Sequence, residues 1–173
     1  MSEPVPARAT LAVALVVCSD RAASGERADE TAARLRPLLE GAGHALAAVR
    51  VVPDERAAIE ATLRELARAH PVVLTSGGTG VGPRDVTVEA TRAVIEREIP
   101  GLGEAMRMKS FAATPTALLS RATAGTLGAA LIVNLPGSPK GAVECLGIVL
   151  PVVAHAARLL AGGVADCQKE IGR

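Results

Sequence analysis

The stretch Leu74-Thr75-Ser76-Gly77-Gly78-Thr79-Gly80-Val81-Gly82-Pro83-Arg84-Asp85-Val86-Thr87 indicates the fold of this chain. Its four glycines within six positions follow an apolar run at 71–74, and a helix-like pattern continues over 86–99. Glycine tolerates positive φ and lets a ligand approach the backbone closely. The first turn of a helix presents unpaired N–H groups and the positive end of the helix dipole, which suit a phosphate. We therefore expect a strand, an anion-binding loop and a helix.

The loop matches neither of the two common nucleotide-binding motifs. A dinucleotide fingerprint has the frame G-x-G-x-x-G, whereas this loop has Gly78-x-Gly80-x-Gly82. A Walker loop ends in Gly-Lys-Ser/Thr, whereas Gly82 is followed by Pro83-Arg84-Asp85. A strand-to-helix connection that needs glycine only for tight geometry therefore remains an alternative.

A second loop of similar construction occurs in residues 130–141, ALIVNLPGSPKG. Its apolar run precedes a helical pattern over 142–160, with Ser138 as the expected N-cap and Pro139 at the first helical position. Lys140 suits either a solvated charge or a phosphate contact. Because ligands bind at the carboxyl ends of strands in open α/β sheets, the second loop favours a binding site.

Strand and helix patterns alternate along the chain. We expect strands at 11–18, 45–52, 72–75 and 130–135, and helices at 29–40, 55–68, 86–98 and 142–160. Residues 115–130 are typical of a hairpin that turns at 125–128 and forms an antiparallel edge. This alternation predicts a three-layer α/β/α fold with a mostly parallel sheet. We expect residues 1–9 to be a flexible tail and residues 10–173 a single domain.

Composition excludes several function classes. Nineteen basic and 18 acidic residues give a net charge of +1, and Phe111 is the sole aromatic residue, so no nucleic-acid partner is expected. Cys18, Cys145 and Cys167 lack metal-ligand spacing and are expected to be reduced thiols of a cytoplasmic protein. No stretch is expected to reach the length of a membrane span, and no membrane partner is expected.

Three aspartates, Asp20, Asp54 and Asp85, follow predicted strands or precede predicted helices. Helix capping explains each of them. Their location at the same edge as the glycine loops favours a second role, because carboxylates near phosphates usually act through Mg²⁺. The residues alone therefore favour a nucleotide or phosphoester site with Mg²⁺ held by carboxylates.

Two stretches carry a family resemblance: residues 76–91, SGGTGVGPRDVTVEAT, and residues 134–139, NLPGSP. They resemble the signature stretches of the MogA/MoaB family, which includes the G domain of gephyrin. Shorter similarities occur at 17–20, 52–55, 98–101 and 119–122, so the resemblance extends over about residues 11–160.

The resemblance implies an adenylyltransferase of molybdenum cofactor biosynthesis. Such enzymes join molybdopterin to AMP, using MgATP and releasing pyrophosphate. Asp54 and Asp85 match the catalytic positions and would bind Mg²⁺, and Ser120 matches a position associated with pterin binding. The other matched substrate- and nucleotide-binding positions are Ser19, Asp20, Ser76, Gly77, Gly78, Thr79, Gly80, Asn134, Pro136, Gly137 and Ser138. The family also implies a homotrimer and a molybdate-insertion protein as a partner.

Two alternatives remain open. Some MoaB-type relatives bind pterin-like ligands but serve poorly as adenylyltransferases, so a non-catalytic molybdopterin-binding or regulatory protein is the main one. The presence of both Asp54 and Asp85 favours the enzyme. A nicotinamide-nucleotide-processing relative shares the fold but usually carries an extra domain, which we do not expect in this chain. We also expect valine at Gly78 to weaken ligand binding more than it disturbs the fold.

Overall fold

A six-stranded sheet organises the fold in the computed structural model, which describes residues 10–162. The strands are β1 (Ala12–Cys18), β2 (Ala45–Val52), β3 (Val72–Ser76), β4 (Arg97–Glu98), β5 (Ala124–Leu127) and β6 (Ala130–Leu135). Their order is β2-β1-β3-β6-β5-β4, in which the first four run parallel and the last two form an antiparallel edge. The predicted tail at 1–9 and the last part of the predicted domain, 163–173, lie outside the described residues.

Helices cover both faces of this sheet. They are α1 (Asp20–Ala23), α2 (Thr31–Gly41), α3 (Arg56–Ala67), α4 (Thr87–Val94), α5 (Pro100–Phe111) and α6 (Pro139–Leu160), with a 3₁₀ turn at Pro115–Leu119. One apolar cluster joins the sheet to α2, α5 and α6, and a second joins its other face to α3 and α4. The predicted three-layer α/β/α fold is confirmed.

Strand β1 shows why ligands are confined to the ends of the strands. Val13, Leu15 and Val17 are buried in the cluster that contains α2 and α6, whereas Ala14 and Val16 are buried in the cluster that contains α3 and α4. A strand that is apolar on both faces is typical of the centre of a parallel sheet covered by helices. Because both faces of the strand are covered, the backbone polar groups that a ligand can reach lie in the loops that follow the strands.

Two predicted boundaries are wrong on the antiparallel side of the sheet. Helix α4 ends at Val94 rather than near 98, because the chain becomes extended at Ile95 and the Glu96 N–H donates to the Thr126 carbonyl at 2.7 Å. The hairpin turns at Gly128, which has a φ of +56°, and not across 125–128. Residues 124–127 instead pair with β6 and extend the sheet.

Helix α5 is absent from the predicted elements. Gly101 and Gly103 lower the helix propensity of its first turns and weaken the sequence pattern. A Cβ at Gly103 would lie 2.3 Å from the Ala122 carbonyl oxygen, so this glycine lets α5 approach the segment before β5. The close packing against Ala122 therefore explains why Gly103 occurs in a helix, where its intrinsic propensity is low.

Helix α6 corrects the expectation that no stretch reaches the length of a membrane span. Among residues 10–162 it is the one helix whose length and composition would suffice to cross a membrane. One face of α6, including Leu146, Val149 and Val153, is buried against the sheet. Long core helices pass the same test of length and hydropathy, and about a third of this window, 33%, is buried.

The backbone and the packing of Gly78 favour glycine without any ligand. It has a φ of +63°, and a Cβ there would lie 2.2 Å from Thr87 Oγ1 in the first turn of α4. Valine at this position would therefore also strain the fold through its contact with Thr87, and its larger effect on ligand binding stays a prediction.

We predict that Gly78→Ala lowers the free energy of unfolding more than Gly43→Ala does. Gly43 also has a positive φ, +82°, but a Cβ there would meet nothing within 4 Å. Alanine at Gly43 should lower the free energy of unfolding by about 1–2 kcal/mol, because an L-residue is strained in the left-handed conformation. Alanine at Gly78 should lower it by roughly 1–3 kcal/mol more, because its Cβ also overpacks against Thr87. Urea denaturation measures both, and equal losses would show that the contact with Thr87 relaxes without cost.

Candidate active site

The loops that follow β3 and β6 contact each other at the carboxyl edge of the sheet. The Ser76 hydroxyl donates to the Pro136 carbonyl at 2.9 Å, and the Gly77 N–H donates to the Leu135 carbonyl at 3.3 Å. A Cβ at Gly137 would lie 3.1 Å from the Gly77 Cα, so the two backbones are in direct contact through glycines. The two loops identified in the sequence therefore form one wall.

This wall separates two cavities. One, which we call the carboxylate pocket, has a volume of about 420 Å³ and is lined by residues that include Ser19, Asp54, Ser76, Gly77, Gly78, Arg84, Asp85 and Gly137. The other, the serine pocket, has a volume of about 310 Å³ and is lined by residues that include Thr79, Gly80, Arg107, Ser110, Ser120, Pro136, Ser138 and Lys140. Neighbouring residues within each of the two loops therefore line different pockets.

Asp20 and Asp54 join the ends of β1 and β2 beside the carboxylate pocket. The Asp20 N–H donates to Asp54 Oδ2 at 3.0 Å, and the Asp54 N–H donates to Asp20 Oδ1 at 2.9 Å. The Arg84 guanidinium, which follows the glycine loop, donates to both carboxylate oxygens of Asp20 at 2.8–3.0 Å. Three separate loops are connected by these contacts.

The two aspartates have opposite electrostatic character. The Asp54 N–H and then the Arg84 guanidinium lower the pKa of the Asp20 carboxyl. Burial raises the pKa of the Asp54 carboxyl, and the nearby charges of Asp20 and Asp85 raise it further. Asp54 Oδ1 is buried without a hydrogen-bond partner. Asp54 is therefore the carboxylate that would gain most from a cation or a phosphate-bound metal ion.

Asp85 is folded over its own loop. Its Oδ2 atom accepts from the Gly82 N–H at 2.7 Å, and a Cβ at Gly80 or Gly82 would lie 3.0 or 2.8 Å from the same oxygen. The absence of side chains at these two glycines thus makes room for the carboxylate. Asp85 stabilises the loop and lines the carboxylate pocket at the same time.

The serine pocket combines hydroxyls, apolar side chains and two cations. Ser138 caps α6 by accepting from the Gly141 N–H at 3.2 Å, which confirms the predicted N-cap and aims the start of a 22-residue helix at the pocket. Arg107 donates to the Ser120 and Ala122 carbonyls at 3.3 and 2.9 Å. Lys140 lies at the rim and is 85% exposed. Such a lining suits an amphipathic ring that carries an anionic group.

Asn134 and Asp20 are the two predicted site residues that line neither pocket. Asp20 lies beside the carboxylate pocket through its hydrogen bonds with Asp54, whereas Asn134 is fully buried. Its Nδ2 donates to the Thr75 and Thr91 hydroxyls at 3.0 and 2.8 Å, and its Oδ1 accepts from the Thr123 N–H at 3.4 Å. The amide connects β3, β6 and α4 two residues before the loop that begins at Pro136.

The residues of the carboxylate pocket fit a metal ion that is bound largely by a substrate. Within residues 10–162 no three His, Cys, Asp or Glu side chains converge closely enough to bind a metal by themselves. Mg²⁺ commonly uses one or two carboxylates together with substrate phosphates and water. The unpartnered Asp54 Oδ1 and the carboxylate of Asp85 supply such oxygen ligands in one pocket.

Several arginines that line the two pockets are not among the site residues predicted from the sequence. Arg84 lies inside the glycine-rich stretch, where the glycines and Asp85 were the stronger signals. Arg21 and Arg27 line the carboxylate pocket from a segment without a recognisable motif. Arg107 belongs to α5, whose existence the sequence pattern does not reveal.

Comparisons with known proteins agree with this architecture. The model of the family MoCF_biosynth, described as "probable molybdopterin binding domain", matches residues 14–155. Molybdopterin adenylyltransferase from Escherichia coli K12 is 47% identical over 141 residues, which cover 79% of this chain and 72% of the relative. The Helicobacter pylori J99 protein of the same name is 38% identical over 159 residues, covering 88% and 89%. The molybdopterin biosynthesis enzyme MoaB from Thermus thermophilus superposes with a TM-score of 0.83 at 47% identity, over 88% of this chain and 98% of that one.

Proposed function

Because the chain belongs to the MoCF_biosynth family of molybdopterin-binding domains, we propose that it is a molybdopterin adenylyltransferase, as its relatives in E. coli and H. pylori are named. The enzyme acts in molybdenum cofactor biosynthesis and takes molybdopterin and ATP as substrates. A phosphate oxygen of molybdopterin attacks the α-phosphorus of ATP, the bond between the α- and β-phosphates breaks, and pyrophosphate leaves. The product is adenylyl-molybdopterin.

The observation that supports this reaction best is the pair of pockets on either side of one glycine wall. A transfer between two substrates needs their reacting groups to meet in a defined orientation. Gly77 and Gly78 line one pocket, while Thr79 and Gly80 line the other. We assign ATP to the carboxylate pocket and molybdopterin to the serine pocket, with their phosphates meeting near this wall.

Each pocket offers groups suited to its assigned substrate. Arg21, Arg27 and Arg84 bring positive charge to the carboxylate pocket for the triphosphate. In the serine pocket, the hydroxyls of Ser120 and Ser138 would hold polar groups of the pterin. The Gly77 and Gly82 N–H groups already donate to Leu135 and Asp85, so the N–H groups of Gly78 and Gly80 are those left to bind phosphate oxygens where negative charge develops.

We propose that Asp54 and Asp85 hold Mg²⁺ together with the phosphates of ATP. When bound, Mg²⁺ neutralises phosphate charge and orients the α-phosphorus for attack. The chain's own contribution is to present Asp54 without a competing hydrogen bond at Oδ1 and to fix Asp85 through the Gly82 N–H. Asp20, which is paired with Arg84, would keep that guanidinium at the mouth of the pocket.

The same resemblance supports further proposals about the protein's setting. We propose a cytoplasmic homotrimer in which residues 10–173 form one molybdopterin-binding domain. The free thiols of Cys18 and Cys145 support a reducing compartment, and burial raises the pKa of Cys18 to about 12, so this thiol stays uncharged. A molybdate-insertion protein would consume the adenylylated product.

Pyrophosphate release from ATP in the presence of purified molybdopterin tests the proposed function. We expect release that requires both substrates and stops when EDTA removes Mg²⁺. A protein that binds molybdopterin by calorimetry but releases no pyrophosphate with MgATP would be the binding-only member of the family. The proposed reaction would then be wrong, while the pocket assignments would remain testable by competition with AMP.

We predict that Lys140→Gln raises the KM for molybdopterin about fivefold at low salt and leaves kcat unchanged. Lys140 lies at the rim of the serine pocket, where an exposed cation attracts an anionic substrate but does not contact the reacting atoms. The effect should vanish at high ionic strength because exposed charges are screened. Lys109→Gln removes the same charge from the exposed surface of α5 and serves as the control. An equal rise in both variants would argue against a contact at Lys140.

A further inference from the structure

Arg121 binds the glycine loop through three separate hydrogen-bond donors, although it lines neither pocket. Its Nε donates to the Gly80 carbonyl and its Nη2 to the Asp85 carbonyl, both at 2.6 Å. Its own N–H donates to the Thr79 carbonyl at 2.8 Å. One residue thus binds three carbonyls between positions 79 and 85.

The guanidinium is fixed from the other side by Glu89 on α4. Nη1 pairs with Glu89 Oε1, and Nη2 lies 3.4 Å from Oε2. The Arg121 pairing is the main cause that lowers the pKa of the Glu89 carboxyl. The Arg121 side chain is about one third exposed, at 34%, so this planar fork is partly shielded from water. Its charge is paired and its donors point at backbone, which leaves it suited to positioning and not to binding a substrate.

The contacts join parts of the chain that serve different pockets. Ser120, directly before Arg121, lines the serine pocket, as do Thr79 and Gly80. Asp85 lines the carboxylate pocket. Arg121 therefore connects the wall shared by both pockets to α4 through Glu89.

We propose that Arg121 is a positioning residue that fixes the glycine loop so that groups on its two sides keep one relative orientation. This inference rests on the proposed function for its effect on turnover, but its effect on the loop is independent of any reaction. Displacing reacting groups by about 1 Å can cost 10²-fold in rate. Loss of Arg121 should therefore lower kcat about 10²-fold while both substrates still bind.

The test compares Arg121→Ala with Arg92→Ala. Arg92 is also an arginine paired with one glutamate, but it is 55% exposed and its guanidinium donates to Glu98, outside the glycine loop. We expect Arg121→Ala to fold and to lose kcat about 10²-fold, and free guanidinium ion at a non-denaturing concentration to restore part of it. Arg92→Ala should retain wild-type turnover. Equal turnover in the two variants overturns the proposal.

Amide hydrogen exchange without substrate gives a second readout. In Arg121→Ala the peptides that span 77–85 should exchange about tenfold faster, the effect of roughly one lost net hydrogen bond, and Arg92→Ala should leave them unchanged. A rate loss with unchanged exchange overturns the proposal, because Arg121 would then not act through the loop. If the wild type releases no pyrophosphate, the proposed function fails, and exchange alone decides whether Arg121 positions the loop.

Arg121→Lys keeps the test decisive if the alanine variant does not fold. Lysine retains the charge that pairs with Glu89 but lacks the planar fork that reaches two carbonyls at once. We expect the lysine variant to fold, to lose turnover and to show faster exchange at 77–85. Wild-type turnover and exchange in Arg121→Lys would overturn the proposal.

Discussion

Asp54→Asn is expected to lower kcat for pyrophosphate release by about 10²–10³-fold, the cost of losing one well-placed electrostatic contact. Asparagine keeps the size of the side chain. In the wild type the Asp20 N–H donates to Asp54 Oδ2 at 3.0 Å, and the single amide oxygen of asparagine can still accept this hydrogen bond. What it removes is the negative charge at the buried, unpartnered Oδ1. Molybdopterin should still bind with wild-type affinity, because Asp54 does not line the serine pocket.

The stability of Asp54→Asn distinguishes an active-site carboxylate from a structural one. Burial raises the pKa of folded Asp54 above its unfolded value, so the folded state binds this proton more tightly. The charged carboxylate therefore costs stability above the folded pKa, and that cost disappears as the pH falls below the unfolded pKa. We expect the Tm of Asp54→Asn to equal or exceed that of the wild type at neutral pH, with the difference shrinking in acid. A large loss of Tm at neutral pH would identify Asp54 mainly as a structural link to Asp20.

Asp29→Asn provides the matched control for charge removal. Asp29 lines the same carboxylate pocket, and its Oδ1 accepts from the N–H of Thr31, the first residue of α2, at 2.7 Å. Asparagine has the same side-chain oxygen and should keep that hydrogen bond with little loss of stability. If turnover falls as far in Asp29→Asn as in Asp54→Asn, the pocket needs only a general negative charge, and the specific role of Asp54 is wrong.

The parallel half of the fold could be predicted because each strand there carries its own signal. Buried runs such as 130–135 end in Pro/Gly loops before amphipathic helices, and parallel strands then bring those loops to one edge. The antiparallel half could not be predicted in the same way. Strand β4 has two residues and exists through pairing with β5, and α5 contains a glycine, Gly103, that only its packing against Ala122 explains.

The same distinction applies to the site. The glycine loop, Asp54 and Asp85 are visible because their residue types are informative where strands end. Asn134 and Arg121 act through partners that are distant in sequence: the Asn134 amide contacts Thr75 and Thr91, and Arg121 contacts Gly80, which lies 41 residues earlier. A local sequence pattern does not predict contacts between residues so far apart in the chain. Their roles follow only from the packed structure.

Asp85→Asn is expected to lower kcat at least as strongly as Asp54→Asn does, by about 10²–10³-fold or more. Asp85 follows the glycines of the loop directly and lies in the carboxylate pocket with Asp54, whose pKa its charge raises. Asparagine can still accept from the Gly82 N–H through its own oxygen, so the hydrogen bond that folds Asp85 over Gly80 and Gly82 should survive. The change thus removes charge and leaves the loop contact in place.

The decisive comparison is between turnover and loop structure in this variant. If the lost charge acts on Mg²⁺ and the phosphates as proposed, and not on the loop, we expect pyrophosphate release to fall while amide exchange across 77–85 matches the wild type. Added Mg²⁺ should recover part of the rate if the variant binds the ion more weakly. If exchange in the loop accelerates as much as it does in Arg121→Ala, the carboxylate serves mainly to fold the loop. Asp85 would then be a positioning residue, and Asp54 would be left as the sole carboxylate of the two that acts on the phosphates.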